Sequence, residues 1–187
     1  MSQSAVFLDR DGVLNEMPLN PLTQAYESPH TLEDLKIYPE VLPALQSLQK
    51  QFKLFVVSNQ PSYAKGKVTL EMLNKISRKF CLELSNRRIL VEEYYYCYHR
   101  EEDKCECRKP SPYFLKKASL DHRIELKSSW MVGDRDTDVE CGERAGCKTV
   151  LIKNPISKDH QGKSAPTFKA KNIAEAAKYI LSKEREG

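Results

Sequence analysis

The stretch Ala5-Val6-Phe7-Leu8-Asp9-Arg10-Asp11-Gly12-Val13 decides the fold. Its opening apolar run is too short for a helix and reads as a buried strand ending at Asp9. A second carboxylate, Asp11, follows two positions on, and Gly12 then lets the backbone turn and approach a ligand closely. Two aspartates so spaced after a buried strand can both face one small molecule. One can serve as a nucleophile while the other trades a proton with a leaving group. Both can help hold Mg²⁺, which prefers oxygen ligands. Asp-Gly is also a common turn dipeptide, so the motif alone leaves a plain turn open.

Outward from this strand the chain alternates short β-rich runs with amphipathic segments. Strands are expected at 53–57, 90–96, 130–132 and 149–152. Helices are expected at 39–50, 70–84, 113–120, 139–145 and 173–182. Such alternation implies βαβ crossovers and a mostly parallel sheet with helices on both faces, a three-layer α/β fold. Ligands of these sheets sit at the carboxyl ends of the strands. Asp9, Ser58, Cys97 and Gly133-Asp134 fall there. Two stretches break the alternation. Residues 14–36 carry Pro18, Pro21 and Pro29 and no periodicity; they read as a loop covering the substrate, or else as a disordered connection. Residues 154–166 are polar and read as a surface loop.

The chain has 187 residues, enough for one domain, taken as 1–187. Its 30 Lys and Arg against 26 Asp and Glu give a net charge of only +4, without the concentrated basic stripe of a nucleic-acid binder. No apolar run is long enough to span a bilayer, and Met1-Ser2-Gln3-Ser4 does not begin a signal peptide. A cytoplasmic monomer acting on a small soluble molecule is expected. Of 6 cysteines, Cys97, Cys105 and Cys107 cluster within eleven residues around His99. Cys97-Tyr98-His99 followed by Cys105-Glu106-Cys107 supplies four ligands that can close a tetrahedral structural Zn²⁺ site. Ordinary thiols beside a surface histidine are the alternative. Zinc in loop 97–107 would fix the cations Arg108 and Lys109, which follow directly.

Three more motifs join the aspartate pair. Val56-Val57-Ser58-Asn59-Gln60 ends a strand with a hydroxyl and amides able to bind phosphate oxygens, though serine is also a frequent helix cap. Arg108-Lys109-Pro110 offers fixed cations, or else a solvated basic pair. Gly133-Asp134-Arg135-Asp136-Thr137-Asp138 is an acidic cluster suited to Mg²⁺, or an acidic helix N-terminus favoured by the helix dipole. Turns and caps do not readily explain all four in order along the strands.

In these motifs, Asp9-x-Asp11, Ser58, Lys109 and Gly133-Asp134-x-x-x-Asp138, the chain resembles the haloacid dehalogenase-like (HAD) phosphatase superfamily. The zinc loop running into Cys107-Arg108-Lys109-Pro110 resembles its small-cap, zinc-containing branch. The resemblance implies a Rossmann-like HAD fold without a large cap domain and hydrolysis of a phosphomonoester through an aspartyl-phosphate. It implies Asp9 as nucleophile and Asp11 as acid and base, with Ser58 and Lys109 stabilising the transferring phosphoryl group. Mg²⁺ would sit between Asp9, the Asp11 carbonyl and Asp134, with Asp138 supporting the site from behind. Asn59, Gln60, Arg108 and Arg135 would bind the substrate, a small phosphorylated metabolite with a sugar bisphosphate favoured. Residues 16–28 do not match the short glycine- and tyrosine-containing loop that touches the substrate in that branch. The alternative of another class is a zinc-stabilised binding module without catalysis, which loss of either paired aspartate would have favoured.

Overall fold

A computed structural model describes residues 3–183 of the chain. Met1 and Ser2, part of the N-terminal stretch read above, lie outside the described residues, as do 184–187. Among the described residues eight strands form: β1 (Ala5–Leu8), β2 (Leu19–Asn20), β3 (Ala25–Tyr26), β4 (Lys53–Asn59), β5 (Val91–Cys97), β6 (Trp130–Gly133), β7 (Lys148–Ile152) and β8 (Phe168–Ala170). The helices are α1 (Val41–Leu48), α2 (Leu70–Asn86), α3 (Tyr113–His122), α4 (Asp136–Ala145) and α5 (Ile173–Lys183). Six strands make one sheet in the order β5-β4-β1-β6-β7-β8. Every pairing in it is parallel.

The period-2 geometry of a strand explains how β1 is buried on both faces. Val6 and Leu8 point into a core built with Leu45 of α1, Phe80 of α2 and Ile180 of α5. Ala5 and Phe7 point the other way, toward Leu115 of α3 and Cys141 of α4. Phe7 stacks on Phe55 of β4 with ring centroids 5.2 Å apart. All four β1 side chains are fully buried, each large one contributing roughly 1.5–3 kcal/mol. The central strand is thus fixed from above and below, and so is the point where the chain leaves it at Asp9.

The structure departs from the sequence reading in several places. β4 runs two residues past the expected end, so Ser58 and Asn59 belong to the strand and do not follow it. α4 begins at Asp136, three residues early, because Asp136 and Asp138 suit a helix N-terminus. A sixth sheet strand, β8, is too short to show a period. Within 14–36 the chain forms an ordered antiparallel hairpin, Leu19 opposite Tyr26 and Asn20 opposite Ala25. Residues 154–166 are no mere surface loop: a 3₁₀ helix, Pro155–His160, buries Ser157. No helix among the described residues is long and apolar enough to cross a membrane.

Gly142 lets α4 lie close on the sheet. A Cβ there would fall 2.6 Å from Thr149 Cγ2 and 2.7 Å from Met131 Cβ. Gly142→Ala should therefore lower the free energy of unfolding by about 1–3 kcal/mol, read from urea denaturation. An unchanged midpoint would mean the helix can shift outward at no cost.

Candidate active site

The carboxyl ends of β1, β4 and β6 lie side by side at the middle of the sheet, and the loops leaving them converge. Asp9 follows β1, Ser58 and Asn59 close β4, and Asp134 follows β6. A cavity of about 840 Å³ opens above them. Asp9, Asp11, Ser58, Asn59, Arg108, Lys109, Arg135 and Asp138 all line it.

Lys109 occupies the centre. The residue is 4 % exposed, and its ammonium reaches Asp9 Oδ1 at 2.8 Å, Asp138 Oδ1 at 2.7 Å and the Val57 carbonyl at 2.6 Å. Burial works against its charge, but Asp138 and Asp9 outweigh burial and raise its pKa. Asn59 holds the Lys109 backbone from both sides, accepting from its N–H at 3.1 Å and donating to its carbonyl at 3.2 Å. Asn59 thus places the lysine as well as lining the cavity.

Asp9, Asp134 and Asp138 present carboxylate oxygens within 4.8 Å of one another. If all three ionise, Lys109 offsets one charge and two remain. Burial first, then the charges of Asp9 and Asp138, push the Asp134 carboxyl up to about 8. Asp134 has no exposure, and its Oδ1 has no hydrogen-bond partner. A buried charged group without a partner is costly unless something else binds it. An all-oxygen set, short of two positive charges, with one buried oxygen left unpartnered fits a divalent cation such as Mg²⁺. Gly12 makes the approach of β1 to this group feasible: it adopts φ +85°, and a Cβ there would lie 2.4 Å from Asp134 Oδ2.

The Asp11 side chain stands apart from that trio. Arg10 reaches it at 3.0 and 3.2 Å, Asn15 donates at 2.9 Å and Gln60 at 2.6 Å. Burial opposes its ionisation, but Arg10 and these hydrogen bonds prevail and hold the carboxyl below its ordinary value. Gln60 also donates to Ser58 Oγ at 3.0 Å, so its amide reaches the aspartate and serine from behind and does not line the cavity. Arg10 itself is fully buried, with its guanidinium 5.6 Å from the centre of the Tyr96 ring.

The four predicted zinc ligands meet. Cys97 Sγ lies 3.6 Å from His99 Nδ1 and 3.6 Å from Cys105 Sγ, Cys105 Sγ 3.7 Å from Cys107 Sγ, and Cys107 Sγ 3.4 Å from His99 Nδ1. Zn–S bonds of about 2.3 Å in a tetrahedron put sulfurs ~3.8 Å apart, and a shorter Zn–N bond brings nitrogen slightly closer. The cluster could therefore hold zinc. Arg108 leaves it with Nη1 bonded to the His99 carbonyl at 3.2 Å, and Cys105 itself lines the cavity.

Sequence reasoning missed four contributors. Arg10, between the two aspartates, carried a signal, since a buried turn rarely holds an arginine without a carboxylate partner, and Asn15 lies only four residues beyond Asp11. Glu27 and Ser157 carried none, because the contacts that tie them to the site, Glu27 to Lys67 and Ser157 to Asp134, form only across the folded chain. Glu27, on the hairpin side of the cavity, bonds Lys67 closely and accepts from Thr23 at 2.9 Å and Asn20 at 3.2 Å. His30, in turn, meets Ser62 Oγ at 3.0 Å. The contacts to Lys67 and Ser62 fasten the 14–36 segment to the 61–67 loop beside the cavity.

With the geometry in place, the relatives agree. A model of the HAD-hydrolase-like family matches residues 106–176. The D-glycero-beta-D-manno-heptose-1,7-bisphosphate 7-phosphatase of Pasteurella multocida is 32% identical over 188 residues, covering 95% of this chain and 97% of that one. The histidine biosynthesis bifunctional protein HisB of Legionella pneumophila is 36% identical over 83% of this chain but only 42% of its own length. The crystal structure of D,D-heptose 1,7-bisphosphate phosphatase from B. bronchiseptica, complexed with magnesium and phosphate, shares the fold with a TM-score of 0.82. That comparison has 24% identity and covers 97% of this chain and 99% of that one. The chain belongs to the HAD-like phosphatase family that includes the Pasteurella multocida enzyme, and it is a phosphatase.

The fastened hairpin has a pH signature. Burial raises the Glu27 carboxyl, but its hydrogen bonds and the Lys67 charge overcome that and bring it from 4.5 to about 2. A depressed carboxyl contributes stability that is present above its unfolded value and lost as pH falls through the folded one. Wild type should thus lose stability between about pH 4.5 and 2 more steeply than Glu27→Gln, read from urea midpoints against pH. Parallel curves would mean Glu27 is not held in solution.

Proposed function

We propose that this phosphatase removes the 7-phosphate from D-glycero-D-manno-heptose 1,7-bisphosphate in a Mg²⁺-dependent reaction. The observation that carries the chemistry is the buried meeting of Asp9, Asp134 and Asp138 around one lysine, with an unpartnered oxygen on Asp134. The substrate assignment is supported by the near end-to-end match to the Pasteurella multocida enzyme.

Asp9 attacks phosphorus and forms an aspartyl-phosphate, while the bond to the sugar oxygen breaks. Lys109, already bonded to Asp9, and the Ser58 hydroxyl stabilise charge on the transferring group. Asp9, Asp134 and the backbone at Asp11 would hold Mg²⁺, whose charge lets a phosphate dianion approach two carboxylates. Asp138 fixes Lys109 from the far side. Asp11 protonates the departing oxygen and then takes a proton from the attacking water. Its resting contacts favour the ionised base, so donation first requires the Arg10 bridge to loosen and the carboxylate to take up a proton from solvent, which it then passes to the departing oxygen. Arg108 and Arg135, both on the cavity wall, suit the remaining phosphate. Zinc held by Cys97, His99, Cys105 and Cys107 would brace the loop that presents Arg108 and Lys109.

A second reading keeps the chemistry and changes the substrate to histidinol phosphate. It is favoured by the 36% identity to the Legionella pneumophila histidine-biosynthesis protein. Phosphate release with Mg²⁺ from both anomers of the heptose bisphosphate, histidinol phosphate and other sugar phosphates separates the two. Preference for one heptose anomer is the expected result; activity confined to histidinol phosphate would transfer the assignment. Asp9→Asn should cut turnover more than about a thousandfold on any substrate. Cys107→Ser should abolish bound zinc by elemental analysis and lower the melting temperature. Unchanged zinc content would remove the zinc assignment.

A further inference from the structure

The segment after β7 reaches the acidic cluster from outside the catalytic motifs. Asn154 starts it: its Oδ1 accepts from the Ile156 N–H at 3.0 Å, and its Nδ2 donates to the Gly12 carbonyl at 3.0 Å. One turn on, the Ser157 hydroxyl, 1 % exposed, donates to Asp134 Oδ2. Gln161 Nε2 then donates to the Asp134 carbonyl at 2.6 Å and the Ile152 carbonyl at 2.9 Å. Asp134 is therefore gripped at its backbone and at one carboxylate oxygen. The other oxygen, Oδ1, is buried and has no partner. Gly12 walls the Oδ2 side, where even a methyl group would collide.

We infer that Ser157 is a positioning residue that leaves Asp134 a single oxygen for the cation and so biases the site toward Mg²⁺ over Ca²⁺. This rests on the magnesium reading above. Mg²⁺ binds at about 2.0–2.1 Å in near-octahedral geometry and holds only one or two carboxylates, whereas Ca²⁺ binds at about 2.3–2.6 Å and accepts carboxylates through both oxygens. With Oδ2 accepting from a buried hydroxyl and hemmed in by Gly12, binding through both oxygens is disfavoured, since Oδ2 would have to share its remaining lone pair in a crowded space. The same bond sets the carboxylate plane before the cation arrives, which spares ordering on binding. Ser157 does not line the cavity, so its effect passes through Asp134.

Calorimetric titration of the metal-free full-length protein tests this, with Mg²⁺ and Ca²⁺ in separate runs. Ser157→Ala should bind Mg²⁺ roughly 10–100-fold more weakly, as loss of a ligand's supporting hydrogen bond commonly does. Its Ca²⁺ affinity should change less, narrowing the preference, and Ser157→Thr should restore most of it. Melting of the metal-free protein reports folding. If Ser157→Ala does not fold, Ser157→Cys, which keeps the volume but donates weakly, takes its place. A wild type that binds no Mg²⁺ would remove the magnesium reading itself. A wild type that binds Mg²⁺ while the hydroxyl-lacking variant matches it, or loses both cations equally, would overturn the Ser157 inference alone.

Discussion

Three buried carboxylates crowd together with one buried ammonium to offset them, and the architecture around them serves to hold that imbalance in place. Lys109 bonds Asp9 and Asp138 but does not reach Asp134 within bonding distance. Removing one partner of a buried pair costs on the order of 3–5 kcal/mol, because the remaining charge stays desolvated. Such a cluster persists only where the scaffold is rigid enough to impose it. Here β1 lies between β4 and β6, packed by helices on both faces. Asp9 and Asp134 leave neighbouring strands and have little freedom to separate. Asp134 either keeps a proton, as its raised pKa indicates, or meets a divalent cation.

The loops around the cluster divide the remaining work. The cysteine–histidine loop ends in Arg108 and Lys109, so a fixed loop means a fixed ammonium. Asn59 locks the same backbone from β4. From the opposite side the 154–164 segment grips Asp134, just after β6, and Asp136, at the start of α4. Ser157 takes Asp134, while Asp136 accepts the Lys163 N–H at 2.9 Å and the Ser164 N–H at 3.1 Å. The hairpin lines the cavity and is held there through Glu27–Lys67 and His30–Ser62. Hydrogen bonds inside a low-dielectric site are strong when complete, which is why each brace ends on a specific polar atom.

The sheet and its motifs were legible because both follow local rules. Apolar runs of strand length alternated with helical periodicity, and chemistry-bearing residues fell at strand ends. The cluster of Cys97, His99, Cys105 and Cys107 was legible because its members lie close in sequence with a spacing suited to one metal ion. What stayed hidden was non-local. Ser157 touches Asp134 across 23 positions, and Glu27 touches Lys67 across 40. No periodicity encodes such contacts, and a polar stretch reads alike whether it braces a site or faces water. β8 escaped because three residues cannot display a period. The extra length of β4 escaped because Ser58 and Asn59 are polar yet extend the ladder, opposite Tyr96 and Cys97.

Asp9 as the phosphoryl acceptor is the claim on which the rest turns. The most direct measurement is an acid quench of the enzyme during turnover of a phosphate-labelled substrate, followed by mapping of the label. The account predicts an acyl-phosphate on the peptide that carries Asp9, formed only with Mg²⁺ present. Labelled phosphate released with no protein-bound label at any quench time, or with the label on another residue, would contradict it.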